Sequence, residues 1–382
     1  MLTLYKFELR KIISRKIVWI TGGVLLVGLV IWGIASAVLP QNREYSDSSL
    51  NGYAANRAEQ EAAEQISGRA IDQKLIDEMR PAYEDFIFNG NYKEALPYLD
   101  VYNFIGRTLG TQAGAEILVC DSEAFYEKLN AQLEANTPAG LTESISFDEP
   151  IVYHGYFDGW RQIADMMKLI TCMEIMFIAI CLSTVFTVEH TRKTDQVILC
   201  TRLGKKKLYA AKTLAGLTVG VGFTLLLSLL MFGIIAFLYG FDGYDTILQF
   251  VLLRPFNLTV GQAAVILVGL SFAGAALISI FTMMLSEVTK NSIATIGIIT
   301  GVLLVTMFIM EMPANLKLLS EIWYLLPSNL VSLNGAFRYS MFHVGGSPLA
   351  AYQYAPIVYL VLAVIFALIG KLTYNRYQIN GR

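Results

Sequence analysis

The feature that most constrains this chain is an uncharged apolar run close to its N-terminus. Residues 17–39 contain no Asp, Glu, Lys or Arg in 23 positions. A helix rises about 1.5 Å per residue, so this run can cross a hydrocarbon core about 30 Å thick. Because the run is uniformly apolar rather than amphipathic, it predicts a membrane span instead of a helix on the surface of a soluble domain.

Similar apolar runs recur along the chain. The further predicted spans cover residues 166–188, 213–239, 260–285, 292–312 and 356–372. The composition agrees, because 55% of the residues are hydrophobic, only 16% are charged and the mean hydropathy is +0.51, whereas ordinary globular domains are about 25% charged. The predicted fold class is an all-α polytopic membrane protein with six transmembrane helices.

Residues 1–16 carry apolar and basic side chains at helical spacing on opposite sides. This pattern predicts an amphipathic helix that lies in the membrane interface; the alternative is a basic segment without an ordered helix. A signal peptide also has basic residues before an apolar run, but its apolar region spans only about 7 to 15 residues, and Val38-Leu39-Pro40 lacks the small residues of a cleavage site. We therefore expect the first span to be retained.

Lys and Arg are distributed unequally between the two sides of the predicted spans. The segments on the side of the N-terminus hold sixteen of them, against three on the opposite side. Since basic residues concentrate in short cytoplasmic segments, we expect a multi-pass protein of the plasma membrane with both termini in the cytoplasm, including the tail 373–382.

Residues 40–165 then form an extracytoplasmic domain. Within 41–165, nine Lys and Arg stand against 22 Asp and Glu, so this part is strongly acidic while the rest of the chain is basic. Helical spacing of apolar residues, interrupted by Pro and Gly, predicts a mainly helical domain. A second outer segment, the link 313–355, is too apolar for a free loop and predicts re-entrant or interfacial helices.

The loop 189–212 is short, basic and patterned. It reads EHTRKTDQVILCTRLGKKK from position 189. Thr194 and Asp195 can start a helix, and Gly204 followed by lysines can end it. Taken alone, the same pattern also fits a solvated charged loop that only fixes the topology.

Together, the topology and this loop resemble the permease subunits of ABC-2 type ABC transporters. The resemblance covers the membrane part and is sharpest in the loop, where His190 stands for the usual Tyr and Lys205 for the usual Arg. In that family the loop forms the coupling helix that docks into an ATPase subunit. By resemblance, Glu189 anchors the exit from the membrane, Thr194 and Asp195 start the helix, Leu199 belongs to its apolar pair, and Arg202, Lys205 and Lys206 are basic contacts.

No Gly-x-x-x-x-Gly-Lys-Ser/Thr phosphate-binding loop occurs in the sequence. We therefore expect a non-catalytic transmembrane subunit without a cofactor of its own, with ATP and Mg held by a partner. The resemblance implies two copies of a cytoplasmic ABC ATPase and a second permease copy, identical or homologous. Membrane lipids are the other expected partner, and nucleic acid is not one.

A few residues inside the spans are candidates for function. Glu174 is ionisable and lies in a span, so it is a candidate for a transport pathway; the alternative is a protonated or snorkelling group in helix packing. Small-residue pairs allow close helix approach, and they occur at Gly216 and Gly220 and at Gly297 and Gly301. We expect packing within one subunit, with a dimer contact as the sharper hypothesis for the second pair.

His154, His190 and His343 have no partners at metal-ligand spacing, so no metal site is predicted. The predicted function is the permease subunit of an ATP-driven exporter of a peptide, lipid or drug-like substrate. Two alternatives remain: a membrane sensor or immunity component coupled to an ATPase without bulk transport, and a secondary transporter or channel.

Overall fold

The computed structural model describes residues 2–39, 51–110, 118–137, 145–191, 207–309, 312, 316–339, 341–344 and 347–376. Its α-helices are α1 (Leu2–Ile13), α2 (Lys16–Val38), α3 (Gly52–Glu64), α4 (Gln73–Asn89), α5 (Leu99–Leu109), α6 (Ser122–Ala135), α7 (Asp158–Leu182), α8 (Thr184–Thr191), α9 (Leu208–Leu238), α10 (Val260–Thr289), α11 (Ser292–Phe308), α12 (Lys317–Tyr324), α13 (Pro327–Leu330), α14 (Leu333–Ala336) and α15 (Ala351–Arg376). Two short strands, β1 (Phe342–Val344) and β2 (Ser347–Leu349), form an antiparallel hairpin.

Among the described residues, five helical stretches are long and apolar enough to cross a membrane. They are α2, the continuous stretch Asp158–Glu189 formed by α7 and α8, α9, α10 and α15. The remaining predicted span corresponds to α11, a shorter apolar helix of 17 residues. At about 1.5 Å per residue it is roughly 25 Å long, which is near the lower limit for a span.

Two helices begin earlier than the spans predicted from the sequence, one whose predicted start followed charged residues and one whose predicted start was a proline. Helix α7 begins at Asp158, eight residues before position 166, because charged residues end a lipid-exposed run without ending a helix. Helix α15 begins at Ala351 and includes Pro356. Its start is stabilised by the Gln353 side chain, which accepts a hydrogen bond from the Ala350 backbone N–H at 2.9 Å.

Three helices build the centre of the bundle. Helix α10 packs against α7, α9 and α15, and α7 also packs against α9. The rings of Phe177 and Phe223 stack with centroids 3.6 Å apart and join α7 to α9. Helices α2 and α15 lie at the periphery. Only 17% of the residues in the most apolar part of each helix are buried, so most of their surface remains available to lipid.

Helix α1 lies along α9 at one end of the bundle. The hydroxyl groups of Tyr5 and Thr218 are 2.9 Å apart, and Ile12 is fully buried. Leu2 and Phe7, in contrast, are about two-thirds exposed. An apolar residue on the open side of a short basic helix agrees with a position in the membrane interface.

The opposite end of the bundle carries the α3–α6 domain (residues 51–157, as far as described). The side chains of Asp72 and Asp121 accept hydrogen bonds from the first turns of α4 and α6, and left-handed glycines, Gly90 and Gly110, end α4 and α5. The core includes the edge-to-face pair of Phe104 and Phe125, both fully buried.

Phe250, in the connection between α9 and α10, joins the α3–α6 domain to the bundle. Its ring stacks on Phe104 at 4.3 Å between centroids and also contacts Tyr153 and Phe157. Its backbone carbonyl accepts a hydrogen bond from Arg107 at 2.6 Å. The domain is therefore packed onto the bundle rather than tethered to it.

The connection between α11 and α15 folds back against the bundle. Helix α13 is buried and contacts α7, α10 and α11. Ser328 on α13 donates a hydrogen bond to the Thr306 hydroxyl at 2.9 Å, and Pro327 lies beside Gly274 of α10. In its described part, the segment predicted as a re-entrant or interfacial link thus contains three short helices, α12 to α14, and the β1–β2 hairpin.

Candidate functional site

Glu189 is the centre of a cluster of charged residues at the α1 end of the bundle. Its Oε2 atom lies 2.5 Å from Nζ of Lys212 at the start of α9, and its Oε1 atom lies 2.8 Å from Nζ of Lys11 on α1. Lys11 also pairs with Glu8 at 3.7 Å. This cluster, which we call the Glu189 cluster (Glu8, Lys11, Glu189 and Lys212), joins three separate helices.

The cluster is largely shielded from solvent. Lys212 is completely buried, and Glu189 and Glu8 expose 5% and 3% of their surfaces. The Lys212 ammonium group also donates a hydrogen bond to the Val185 carbonyl at 3.4 Å and lies 4.9 Å from the centroid of the Phe186 ring. Removing a charge from water is costly unless the charge has a partner. These contacts therefore fix the positions of the Lys212 and Glu189 side chains.

A second set of contacts surrounds the joint between α7 and α8. Arg15 donates a hydrogen bond to the Thr184 hydroxyl, and Ser286 on α10 donates to the Ser183 carbonyl at 2.6 Å. The joint is thus tied to the α1–α2 connection on one side and to the central helix α10 on the other.

Glu189 and Lys212 flank segment 192–206, which contains most of the predicted coupling residues. Thr194, Asp195, Leu199, Arg202, Lys205 and Lys206 lie outside the described residues, so their roles stay predictions. The structure describes the residues on either side of the segment, at the end of α8 and the start of α9.

Glu174 lies fully buried in the middle of the bundle. Its Oε2 atom accepts hydrogen bonds from Thr224 on α9 and Ser271 on α10, both at 2.9 Å. Its Oε1 atom has no hydrogen-bond partner among the described residues. The carboxyl group therefore links the three central helices, and Pro327 of α13 lies nearby, against Gly274.

Comparison with known families identifies the membrane part. A family model described as "ABC-2 family transporter protein" matches residues 2–322. The chain belongs to this family. Neither a search of curated proteins nor a search of solved structures finds a match.

As an ABC-2 family protein, the chain is a multi-pass membrane permease subunit of an ABC transporter. Members of this family generally work with a partner ATPase subunit. The resemblance noted from the loop and the topology is thus confirmed at the level of the family. The match covers α1 to α11 and most of α12, and it includes the Glu189 cluster and Glu174.

The two small-residue pairs of the permease have different surroundings. A Cβ atom on Gly216 would collide with Met283, and one on Gly220 would collide with Ser279, so both glycines allow α9 to approach α10 closely. A Cβ atom on Gly297 or Gly301 would meet no atom within 4 Å in the described part of the chain. The second pair therefore has open space beside it in the described part of the chain.

Sequence reasoning missed the partners of Glu189. Lys11 and Lys212 counted among the basic residues that set the orientation, and neither was predicted to pair with Glu189, although both bind its carboxylate. Lys212 carries one available signal, because a Lys within an otherwise apolar helix needs an anionic partner or a route to water. Nothing in the sequence tells which carboxylate supplies that partner.

An acidic cavity lies where the α3–α6 domain meets α7. It has a volume of about 300 Å³, and its walls include the carboxylates of Glu59, Asp100 and Asp158 and the guanidinium group of Arg161, so the charged lining is net negative. Asp100 accepts a hydrogen bond from the Tyr153 hydroxyl at 2.6 Å. Desolvation, and then the negative charge of Asp158, raise the pKa of Asp100 to about 7. Asp100 therefore favours its protonated form more strongly than an Asp in water does.

Proposed function

We propose that this permease is one of two transmembrane subunits of an ATP-driven exporter, and that segment 192–206 receives the ATPase. The observation that carries the proposal is the buried Glu189–Lys212 ion pair, which joins α8 and α9, the helices before and after this segment. A push on the segment reaches α8 and α9 together because the pair holds both ends. Lys11 passes the same displacement to α1.

The route continues into the bundle. The α7–α8 joint next to the cluster is bonded to α10 through Ser286 and Ser183. Helices α7, α9 and α10 in turn meet at Glu174. ATP-driven closure of two ATPase subunits, which hold ATP and Mg, would thus reorient the helices that surround the buried carboxyl group.

We further propose six spans, with α11 as the short one, both termini in the cytoplasm and the α3–α6 domain outside. The unequal distribution of Lys and Arg supports this orientation. So does the position of α1, which is paired through Lys11 with the end of α8 that precedes the basic segment 192–206 in the sequence. The α3–α6 domain lies at the other end, next to the acidic cavity.

The cargo we propose is a peptide, lipid or drug-like molecule with cationic or amphipathic character. The support is electrostatic, since residues 41–165, with 22 acidic and nine basic side chains, attract cations. The acidic cavity at the junction adds a specific place for positive charge.

The test is to purify the permease together with the product of an adjacent ATPase gene and to measure ATP hydrolysis. We expect a stable complex whose hydrolysis falls at least tenfold when Asp195 and Arg202 are both replaced by Ala. Lys371→Ala is the matched control, because Lys371 is exposed and its neighbour Gly370 contacts Tyr209 at the start of α9, which places it at the same end of the bundle. Failure of any ATPase to co-purify would contradict the proposal.

A sensor is the second candidate, and the acidic cavity between α5 and α7 is the observation that favours it. A sensor would form the same complex and hydrolyse ATP, yet it would move no peptide, lipid or drug into vesicles. Transport that persists without any ATPase would instead indicate a secondary transporter or channel.

A further inference from the structure

A second pocket, of the opposite charge, lies on the other side of Arg161. It encloses about 300 Å³ between the α3–α6 domain, α7 and the segment that leads into α14. Three basic side chains line it, namely Arg107 of α5 and Arg161 and Lys168 of α7. The one carboxylate in its wall is Asp165, so the lining is net positive within a strongly acidic part of the chain.

Two of the basic groups already have contacts with the protein. Arg107 donates to the Phe250 carbonyl at 2.6 Å. Arg161 lies 3.3 Å from Asp158 and 3.9 Å from Asp165, and 41% of its side chain remains exposed. These contacts hold both guanidinium groups at the wall of the pocket. A guanidinium group carries five N–H donors in all.

Lys168 is the unsatisfied member of the set. It forms no hydrogen bond or ion pair with any residue that the structure describes, and it is only partly exposed. It is also the last charged residue before the apolar stretch that begins at Leu169. An ammonium group at this level lies where the phosphate groups of a bilayer meet the hydrocarbon core, if α7 crosses the membrane.

The remaining lining suits an amphiphilic anion. Val251 and Leu252 form an apolar side of the pocket, and Leu169 next to Lys168 is 37% exposed. At the rim, the exposed Asn334 adds an amide that can donate a hydrogen bond. Simple snorkelling of Lys168 to water would explain one basic residue at this level, but not the convergence of three from two separate elements.

We infer that this pocket binds a phosphate group through Arg107, Arg161 and Lys168. The group can belong to an anionic phospholipid of the outer leaflet or to phosphate in solution, and the chemistry of recognition is the same. Arginine and lysine side chains bind phosphate oxygens through charge-assisted hydrogen bonds. The inference is independent of transport and of any ATPase; only the assignment to the outer leaflet rests on the orientation proposed above.

The test uses the full-length chain in detergent, titrated with phosphatidylglycerol and followed by native mass spectrometry. Lys168→Gln should weaken binding about tenfold, because it removes one charged contact, while Lys168→Arg should keep it within about threefold. Lys74→Gln is the control, since Lys74 is an exposed lysine on α4 and its loss changes the net charge by the same amount.

The source of the phosphate is decided by competition. If potassium phosphate at millimolar concentration displaces the lipid from the wild-type chain, the soluble ion occupies the pocket. If it does not, and phosphatidylcholine binds more weakly than phosphatidylglycerol, an anionic lipid occupies it. The inference is overturned if neither probe binds, or if Lys168→Gln binds as well as the wild type, or if Lys74→Gln weakens binding to the same extent as Lys168→Gln. Thermal unfolding of each variant checks that the fold is intact.

Discussion

The ammonium group of Lys212 is completely buried, and its one ion-pair partner among the described residues is Glu189, which is itself shared with Lys11. The two lysines that pair with Glu189 therefore depend on its charge to different extents. Loss of Lys212 leaves Glu189 paired with Lys11 at the edge of the cluster. Loss of the Glu189 charge leaves Lys212 in the interior without a direct carboxylate partner in the part of the chain that the structure describes.

We accordingly expect Glu189→Gln to destabilise the permease more than Lys212→Met. Breaking a buried pair from one side costs about 3–5 kcal/mol, and this range applies to Glu189→Gln because Lys212 has no route to water. Lys212→Met should cost less, and the double variant should recover at least half of the Glu189→Gln loss. The midpoint of thermal unfolding in detergent measures all three. Equal losses in the two single variants would contradict the described geometry.

Glu174 should separate structure from function. Glu174→Gln keeps an oxygen that can accept from Thr224 and Ser271, so we expect stability close to wild type. Glu174→Leu leaves the Ser271 hydroxyl buried without an acceptor and should cost about 1–3 kcal/mol. If the carboxyl group belongs to the transport pathway, vesicle transport falls in the Gln variant while unfolding is unchanged. Unaltered transport in Glu174→Gln would reduce Glu174 to a packing role.

The acidic cavity should make the α3–α6 domain sensitive to pH. Because the pKa of Asp100 is raised to about 7 in the folded chain, its contribution to stability is complete below the unfolded value of about 4 and is lost as pH rises through 7. We expect a loss on the order of 1–2 kcal/mol between pH 5 and 8, smaller than the full shift implies because part of the surface of Asp100 is accessible to solvent.

The matched variant is Asp100→Asn, which mimics the protonated carboxyl group and still accepts from Tyr153. It should remove most of this pH dependence and should be more stable than wild type at pH 8. Thermal unfolding from pH 5 to 8 provides the measurement. A parallel slope in wild type and variant would place the titrating group elsewhere.

The glycine pairs offer a comparison on nearly identical chemistry. Gly220→Ala should overpack the α9–α10 contact against Ser279 and cost about 1–3 kcal/mol. Gly297→Ala meets no atom within 4 Å and should leave stability unchanged or slightly higher, since Ala favours helix. If the face of Gly297 and Gly301 contacts a second permease copy, Gly297→Leu lowers the dimer fraction in cross-linking at unchanged stability of the subunit.

The sequence predicted those parts of the fold that depend on local pattern. Uncharged runs located the apolar helices to within several residues, because the energetic requirement for crossing lipid is strict. The start of α7 was placed too late, since charged residues such as Arg161 and Asp165 are compatible with a helix outside the hydrocarbon core. Helix α15 likewise begins before Pro356, because its capping by Gln353 compensates for an interior proline.

The candidate sites were harder to predict, because they depend on contacts between distant segments. Glu174 and Glu189 were both singled out, but nothing local indicates that Ser271 or Lys11 would reach them across about a hundred or more residues. The position of Pro327 beside Gly274 is another such contact. Segment 192–206 is the reverse case: its pattern was informative in the sequence, and it lies outside the described residues.

Phe250 touches α5 through Phe104 and the approach to α7 through Tyr153 and Phe157, and it belongs to the only stretch that connects α9 with α10. An antibody fragment that binds the α3–α6 domain and tilts α5 must carry Phe250 with it or expose its ring to water. Either outcome disturbs the central helices from outside the cell, in the proposed orientation. A large, membrane-impermeant molecule that binds the α3–α6 domain would therefore inhibit this permease without entering the bundle.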